Sequence, residues 1–360
     1  MNLFMGTKQL RLMFSDAEMK NVIYVIRYLC RMALKTTPVT ILTGFLGAGK
    51  TTFLNHIITG NPDKKFAIIE NEFGQINIDS SLVINTDENI FELSNGCICC
   101  SVNGELSDLL NKLVTGSYEF DHLIIETTGI ADPSAVAAVF MTDYNIQTVF
   151  KLDGVICLVD CAHVLDVLGV EEEASQQIAF SDYIIYNKSD DANAEQIELI
   201  KQKTKALNPF ADFEFANYGK VATKKLLELN AYDKSTVKLK LGVSTSQKQG
   251  FASSVKESHH HDIVSQSFVF DQSFDLMKLR YYFTVMLMFQ GAHFYRIKGI
   301  INIEGINRQL ILQSVKGSPV FTDGDAWENE QNKQTRIVFI GKNLRRDILE
   351  KGLKQCFFIK

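Results

Sequence analysis

From Pro38 onward the chain alternates short, continuous apolar runs with longer stretches of mixed character. The runs are Val39 to Thr43, Phe66 to Glu70, His122 to Glu126, Gly154 to Val159, Tyr183 to Asn187 and Phe213 to Ala216. Short uninterrupted runs of this kind predict strands buried on both faces. Between them, Thr51 to Ile58, Glu105 to Leu113 and Glu195 to Leu207 read as helices. Alternating β and α segments predict an α/β fold with a doubly wound, mainly parallel sheet. The alternation stops near residue 236. A stretch rich in Ser, Gln and Lys, Gly242 to Ser267, reads as a linker. A smaller α+β unit follows, with strands at Ser267 to Phe270, Phe294 to Ile303, Gln309 to Val315 and Thr335 to Ile340. Its helices are expected at Ser273 to Phe289 and Leu344 to Cys356. The expected organisation is an N-terminal extension at 1–37, a first domain at 38–236, a linker at 237–262 and a second domain at 263–360.

The length of 360 residues accords with two domains. Lys and Arg number 37 against 42 Asp and Glu, a net charge of −5. That balance argues against nucleic acid as a partner. No apolar stretch of about 18 residues exists, so no membrane span is expected. The seven cysteines are an odd number, and three crowd into four positions. That spacing points to a reducing, cytoplasmic setting rather than a disulfide scaffold. Residues 1–31 are basic and precede a second plausible opening at Met32. They read as a presequence, a helix of their own or an upstream extension, and the poorly ordered, dispensable extension leads.

Chemistry concentrates behind the first strand. Gly44-Phe-Leu-Gly47-Ala48-Gly49-Lys50-Thr51 fits G-x-x-x-x-G-K-[ST], and it follows a strand and opens a helix. In that context backbone N–H groups surround phosphates and Lys50 reaches the β/γ oxygens. The Thr51 hydroxyl is expected on Mg²⁺. These features make the sheet that of a P-loop NTPase. Glu126, ending the third strand before Thr-Thr-Gly129, suits a Mg²⁺-water contact, with Gly129 placed to sense the γ-phosphate. Asp190, in Asn187-Lys188-Ser-Asp190, can accept from guanine N1–H and N2–H₂, which selects GTP over ATP.

Cys97-Ile-Cys99-Cys100 offers three thiolates, which suit a tetrahedral, borderline-soft ion such as Zn²⁺. The flanking Gly96 and Ser101 to Asn103 place the cluster on a loop, and Glu70 is a candidate fourth ligand. The same cysteines also read as ordinary buried residues. Strand two ends in Glu70-Asn-Glu-Phe-Gly74, where a switch loop is expected, so metal affinity would follow nucleotide state. His259 to His261, in the linker, reads equally as a loose metal collector or a solvated tract. His163 reads as a hydrogen-bonded structural residue.

Together, Thr43 to Thr52, Glu70 to Gly74, Gly96 to Cys100, Glu126 to Pro133 and Asn187 to Asp190 resemble the CobW-type P-loop GTPases. These are relatives of the nickel-insertion GTPases of hydrogenase and urease. Arg296 to Gly299, Gln313 to Val315, Trp327 and Val338 to Gly341 resemble that family's C-terminal domain. The resemblance implies a slow, Mg²⁺-dependent GTPase that delivers zinc or cobalt to a metal-dependent client protein. It implies nucleotide contacts from Gly44, Gly47, Ala48, Gly49, Lys50, Thr51, Thr52 and Gly129. Guanine recognition falls to Asn187, Lys188 and Asp190, and metal binding to Cys97, Cys99 and Cys100. Lys50, Thr51 and Glu126 carry the hydrolytic roles, and a homodimer is left open. The family pattern departs at Gln75, where a Glu is usual. Two other readings stand beside this one: a nucleotide-regulated interaction protein with structural cysteines, and a GTPase subunit of cobalt insertion into a corrin.

Overall fold

In the computed structural model, residues 36–70, 98–115, 120–241, 263–315, 317–327 and 333–359 are described. For Glu70 and residues 98–105 the description covers the backbone alone. The apolar runs become strands β1 (Thr37–Gly44), β2 (Phe66–Glu70), β3 (His122–Glu126), β4 (Phe150–Asp160), β5 (Tyr183–Asn187) and β6 (Asp212–Phe215). All neighbours pair in parallel, in the order β2-β3-β1-β4-β5-β6. The intervening helices are α1 (Lys50–Gly60), α2 (Ile98–Thr115), α3 (Pro133–Thr142), α4 (Tyr144–Gln147) and α5 (Val164–Val167). They continue with α6 (Glu172–Phe180), α7 (Ala194–Leu207), α8 (Thr223–Leu226) and α9 (Lys234–Lys240).

Both sheet faces are covered, as fully apolar strands require. Leu42, Ile68 and Ile124 pack under Phe53, Leu54 and Ile57 of α1. Val39, Ile41 and Ile125 face the other way, onto Leu106 and Leu110 of α2 and Val136 and Phe140 of α3. Strand β1 lies between β3 and β4, so connections leave it to opposite sides. In doubly wound sheets that reversal opens a crevice at the carboxyl ends of the strands, where ligands bind.

The second sheet is antiparallel, with β7 (Ile263–Phe270), β8 (Phe294–Ile301), β9 (Arg308–Val315), β10 (Ser318–Ala326) and β11 (Thr335–Lys342). Its order is β10-β9-β8-β11-β7. Ile297, Leu312 and Phe339 on one face pack with Leu279 and Phe283 of α10 (Leu276–Gln290) and Leu353 of α11 (Arg346–Gln355). Ile300, Ile311 and Val338 on the other face pack with Ala179, Phe210, Val237 and Leu241 of the first unit.

Several boundaries differ from the sequence reading. Strand β10 carries Pro319, Asp323, Gly324 and Asp325, and such a run has no strand signature. It forms because it is an edge, hydrogen-bonded to β9 alone. Helix α2 begins at Ile98, so the backbone at Cys99 and Cys100 is helical rather than loop. Helix α9 runs past residue 236 to Lys240, because Val237 and Leu241 are buried against the second sheet. The expected N-terminal extension and the histidine-bearing linker fall largely outside the described residues.

Candidate nucleotide site

Strand β1 ends at Gly44, and α1 begins at Lys50. The turn between them needs positive φ at Gly44, Gly47 and Gly49. Gly49, at φ 95°, is the N-cap of α1 and offers no side chain to the first-turn amides. No acidic residue lies in that turn. The positive end of the helix is thus kept for an anion, which fits a phosphate group. Lys50 lies back across the loop, its Nζ donating to Gly44 O at 2.9 Å and to Phe45 O at 3.4 Å. Thr51 is half-buried in the first turn and Thr52 is exposed.

The exit of β3 is drawn onto this loop. Glu126 stands opposite Leu42 of β1 in the ladder. Next to it, buried Thr127 donates its N–H to Leu42 O at 2.9 Å and its hydroxyl to Thr43 Oγ1 at 3.0 Å. Gly129 then passes so close that a Cβ there would lie 2.7 Å from Leu46 N. Only glycine permits that approach. Gln177 of α6, 1% exposed, donates to Gly129 O at 3.0 Å and Ala131 O at 3.2 Å. The hydroxyl of Thr51 and the carboxylate of Glu126 are hard oxygen donors, the set that suits Mg²⁺.

The loop after β5 is tied to the phosphate loop by one amide. Asn187 is buried, its Nδ2 donates to Ala48 O at 2.9 Å, and its Oδ1 accepts from Gly219 N at 2.9 Å. Asn187 thus ties this loop to the phosphate loop with its oxygen and one of its two Nδ2 donors. Lys188 adopts φ 56° and donates to Asp160 Oδ2 at 2.8 Å. Asp160, ending β4, also accepts from His163 Nδ1 at 3.0 Å and Ala162 N at 2.9 Å. Burial works against its charge, but the bonds from Lys188, His163 and Ala162 prevail and hold its carboxyl below the usual range. His163 is thus hydrogen-bonded to Asp160, with its side chain exposed. Asp190 is exposed, and its backbone N–H donates to Asn217 Oδ1 at 3.0 Å.

The proposed metal ligands are placed less fully. Cys97, the side chains of Cys99, Cys100 and Glu70, Gln75 and His259 to His261 lie outside the described residues. Among the described residues no group of three or more His, Cys, Asp or Glu gathers to hold a metal ion. Three other cysteines, Cys157, Cys161 and Cys356, are free and buried. Burial pushes the thiols of Cys157 and Cys161 up to about 12 and that of Cys356 up to about 11. Such groups stay as thiols and behave as small apolar residues.

Sequence reasoning passed over Asp160, Gln177, Asn217 and Gly219. Asp160, an acid at the end of an apolar run, carried the same signal as Glu126 and could have been found by it. Gln177, Asn217 and Gly219 carry no local signal, since their roles depend on partners far along the chain.

A parallel sheet with an uncapped, lysine-bearing glycine loop at its switch point defines the class: nucleotide-binding proteins with a phosphate loop. Residues 38–215 match the model of the CobW/HypB/UreG nucleotide-binding domain. Residues 263–357 match that of the cobalamin synthesis protein cobW C-terminal domain. The zinc chaperone YjiA of Escherichia coli is 33% identical over 310 residues, covering 85% of this chain and 94% of the relative. The zinc-regulated GTPase metalloprotein activator 1 of Saccharomyces cerevisiae is 29% identical over 366 residues, covering 89% and 83%. The crystal structure of Zn(II)-bound YjiA GTPase from E. coli is similar at TM-score 0.67 and 27% identity, covering 90% of this chain and 100% of that one. The chain belongs to the CobW/HypB/UreG family.

Proposed function

We propose that the chain is a GTPase metallochaperone. It binds a transition metal, zinc before cobalt, at Cys97, Cys99 and Cys100 and hands it to a metal-dependent client under nucleotide control. In this reading the first domain, from 38 through the end of α9, carries the nucleotide, a linker leads on to a second domain at 263–360, and the protein works in the cytoplasm. The observation that carries it is the Asn187 amide, which joins Ala48 of the phosphate loop to Gly219. That bridge makes one site of a phosphate cradle and a loop bearing Asp190.

The geometry supports this division of labour. First-turn N–H groups of α1 and the Lys50 ammonium hold the phosphate chain and stabilise charge that builds on it. Thr51 and Glu126 would hold Mg²⁺, which supplies neutralisation of the β and γ oxygens. Asp190 accepts from the guanine edge, and Asp160 keeps Lys188 beside it. Gln177 fixes the Gly129 loop against the cradle, where a γ-phosphate is felt. Among the described residues no arginine finger stands in cis, so intrinsic turnover is expected on the order of 10⁻⁴ to 10⁻³ per second. The relatives' names as zinc chaperones support zinc as the cargo, and the thiolate chemistry suits it.

Competition between GTP and ATP tests the base assignment. Wild type should prefer GTP, and Asp190→Asn should weaken GTP on the order of a hundredfold, since donor would then face donor. Equal binding of the two nucleotides would sink it. Zinc titration with GDP and with a non-hydrolysable GTP analogue tests the chaperone cycle. The two states should differ in affinity, and Cys99→Ser/Cys100→Ser should abolish stoichiometric binding. Unchanged binding in that variant would favour the reading in which the cysteines are structural.

A further inference from the structure

The turn after β6 holds a side chain that packing does not explain. Lys220 N donates to Asn217 O at 3.1 Å, closing a four-residue turn whose central residues are Tyr218 and Gly219. Their φ angles are 54° and 67°. Positive φ at both central positions defines the mirror-image turn in which Asn and Gly are favoured. Gly219 is at home there, whereas a bulky aromatic residue is strained. Tyr218 is 78% exposed, so burial does not offset the strain. Its hydroxyl and ring have no partner among the described residues.

The strained residue is also fixed in place. On one side of it, Asn217 Oδ1 accepts from Asp190 N at 3.0 Å and Ser189 Oγ at 3.2 Å. On the other, Gly219 N donates to Asn187 Oδ1 at 2.9 Å. A Cβ on Gly219 would lie 3.0 Å from Phe53 Cα, so the turn is pressed onto the helix that opens behind the phosphate loop. Tyr218 is therefore bracketed by residues bonded to both ends of the Asn187 to Asp190 segment. Strain that the surroundings hold in place marks functional positions.

We propose that Tyr218 is a base-stacking residue, its ring serving as a platform for the purine whose edge Asp190 reads. The proposal rests on the guanine-site reading and extends it. Stacking uses the π-face that every base has, so it adds affinity without choosing between bases. Asp190 would set which purine binds, and Tyr218 how tightly any purine binds.

The test uses Tyr218→Asn, Tyr218→Gly and Tyr218→Phe in the full chain, with thermal unfolding and titration of GDP, GTP and inorganic tripolyphosphate. Asn and Gly suit the turn, so both variants should unfold at the wild-type temperature or above it. Their Kd for GDP and GTP should rise about tenfold, as for loss of one base–aromatic stack. Tripolyphosphate affinity should not change, and Tyr218→Phe should bind like wild type. Wild-type GDP affinity in Tyr218→Asn and Tyr218→Gly would overturn the proposal. So would an equal loss of tripolyphosphate binding, which would mean that the turn supports the cradle instead. A wild type that binds ATP and GTP alike, with both weakened in Tyr218→Asn, would retain the stacking role and remove the guanine reading. A wild type that binds no nucleotide would overturn both.

Discussion

The two ends of β5 carry two polar hubs of opposite design. At its carboxyl end Asn187, a neutral amide, joins Ala48 to Gly219. Just before its amino end Asp182, a buried carboxylate, accepts from Val155 N at 3.1 Å, Arg296 at 2.5 Å and Lys298 Nζ at 3.2 Å. Arg296 and Lys298 both come from β8, so this hub joins the two sheets. Arg296 further donates to Phe180 O and Ser181 O, and Tyr295 donates to Glu172 at 2.8 Å. The neutral hub holds a loop beside a site meant for a charged ligand, adding no charge of its own. The charged hub binds two cations in the interior, where either would be costly alone. One strand thus carries a neutral anchor at the ligand end and a charged one at the seam.

The sharpest way to break this contrast is Asp182→Ala. It strands Arg296 and Lys298 without their carboxylate, and stability should fall by about 3–5 kcal/mol. Denaturant unfolding would measure it, and a loss below about 1 kcal/mol would refute the hub. Asn187→Ala should cost less, about 1–3 kcal/mol, for the groups left unsatisfied at Ala48 and Gly219. Unlike the seam variant, it should weaken GDP binding in protein that is still folded. Unchanged GDP affinity would deny the bridge its role.

The smallest effect is a pH slope. Burial, then the Arg296 charge, push Lys298 down to about 7, because the single Asp182 carboxylate is shared between two cations. The unfolded lysine titrates near 10.4. Between these values the unfolded chain binds the extra proton, so stability from this group rises as pH climbs from about 7 toward 10. Below 7 both states are protonated and the slope vanishes. Lys298→Met should flatten the rise, as read from unfolding midpoints across that range. An unaltered slope would show that Lys298 keeps its ordinary charge at the seam.

Much of the nucleotide end could be read before any coordinates. Val39 to Thr43 and Gly44 to Thr51 combine a buried-strand run with a loop whose glycines serve local backbone geometry, so the information is contiguous. The Asn187 to Asp190 motif was visible for the same reason. Its support was not, because Asn217 and Gly219 reach back across the sheet to Ser189, Asp190 and Asn187. That Asn187 bonds Ala48 O and Gly219 N could not be read from its motif, since a residue type states which bonds it can make and not with whom. Strand β10 escaped notice because an edge needs one partner and little hydrophobicity.

By itself the sequence determined the parallel sheet, the phosphate loop, the Asn-Lys-x-Asp motif after β5 and the family, because each is written in local pattern: runs of apolar residues, glycine spacing and short motifs. Tertiary structure decided which polar groups meet. It set Asn187 on Ala48, Asp160 on Lys188, Gln177 on Gly129 and Asp182 on Arg296 and Lys298. It also held Tyr218 at positive φ beside Asp190. The physical reason is that a buried polar group must find a partner, and that partner is fixed by how distant strands pack rather than by its neighbours in the chain.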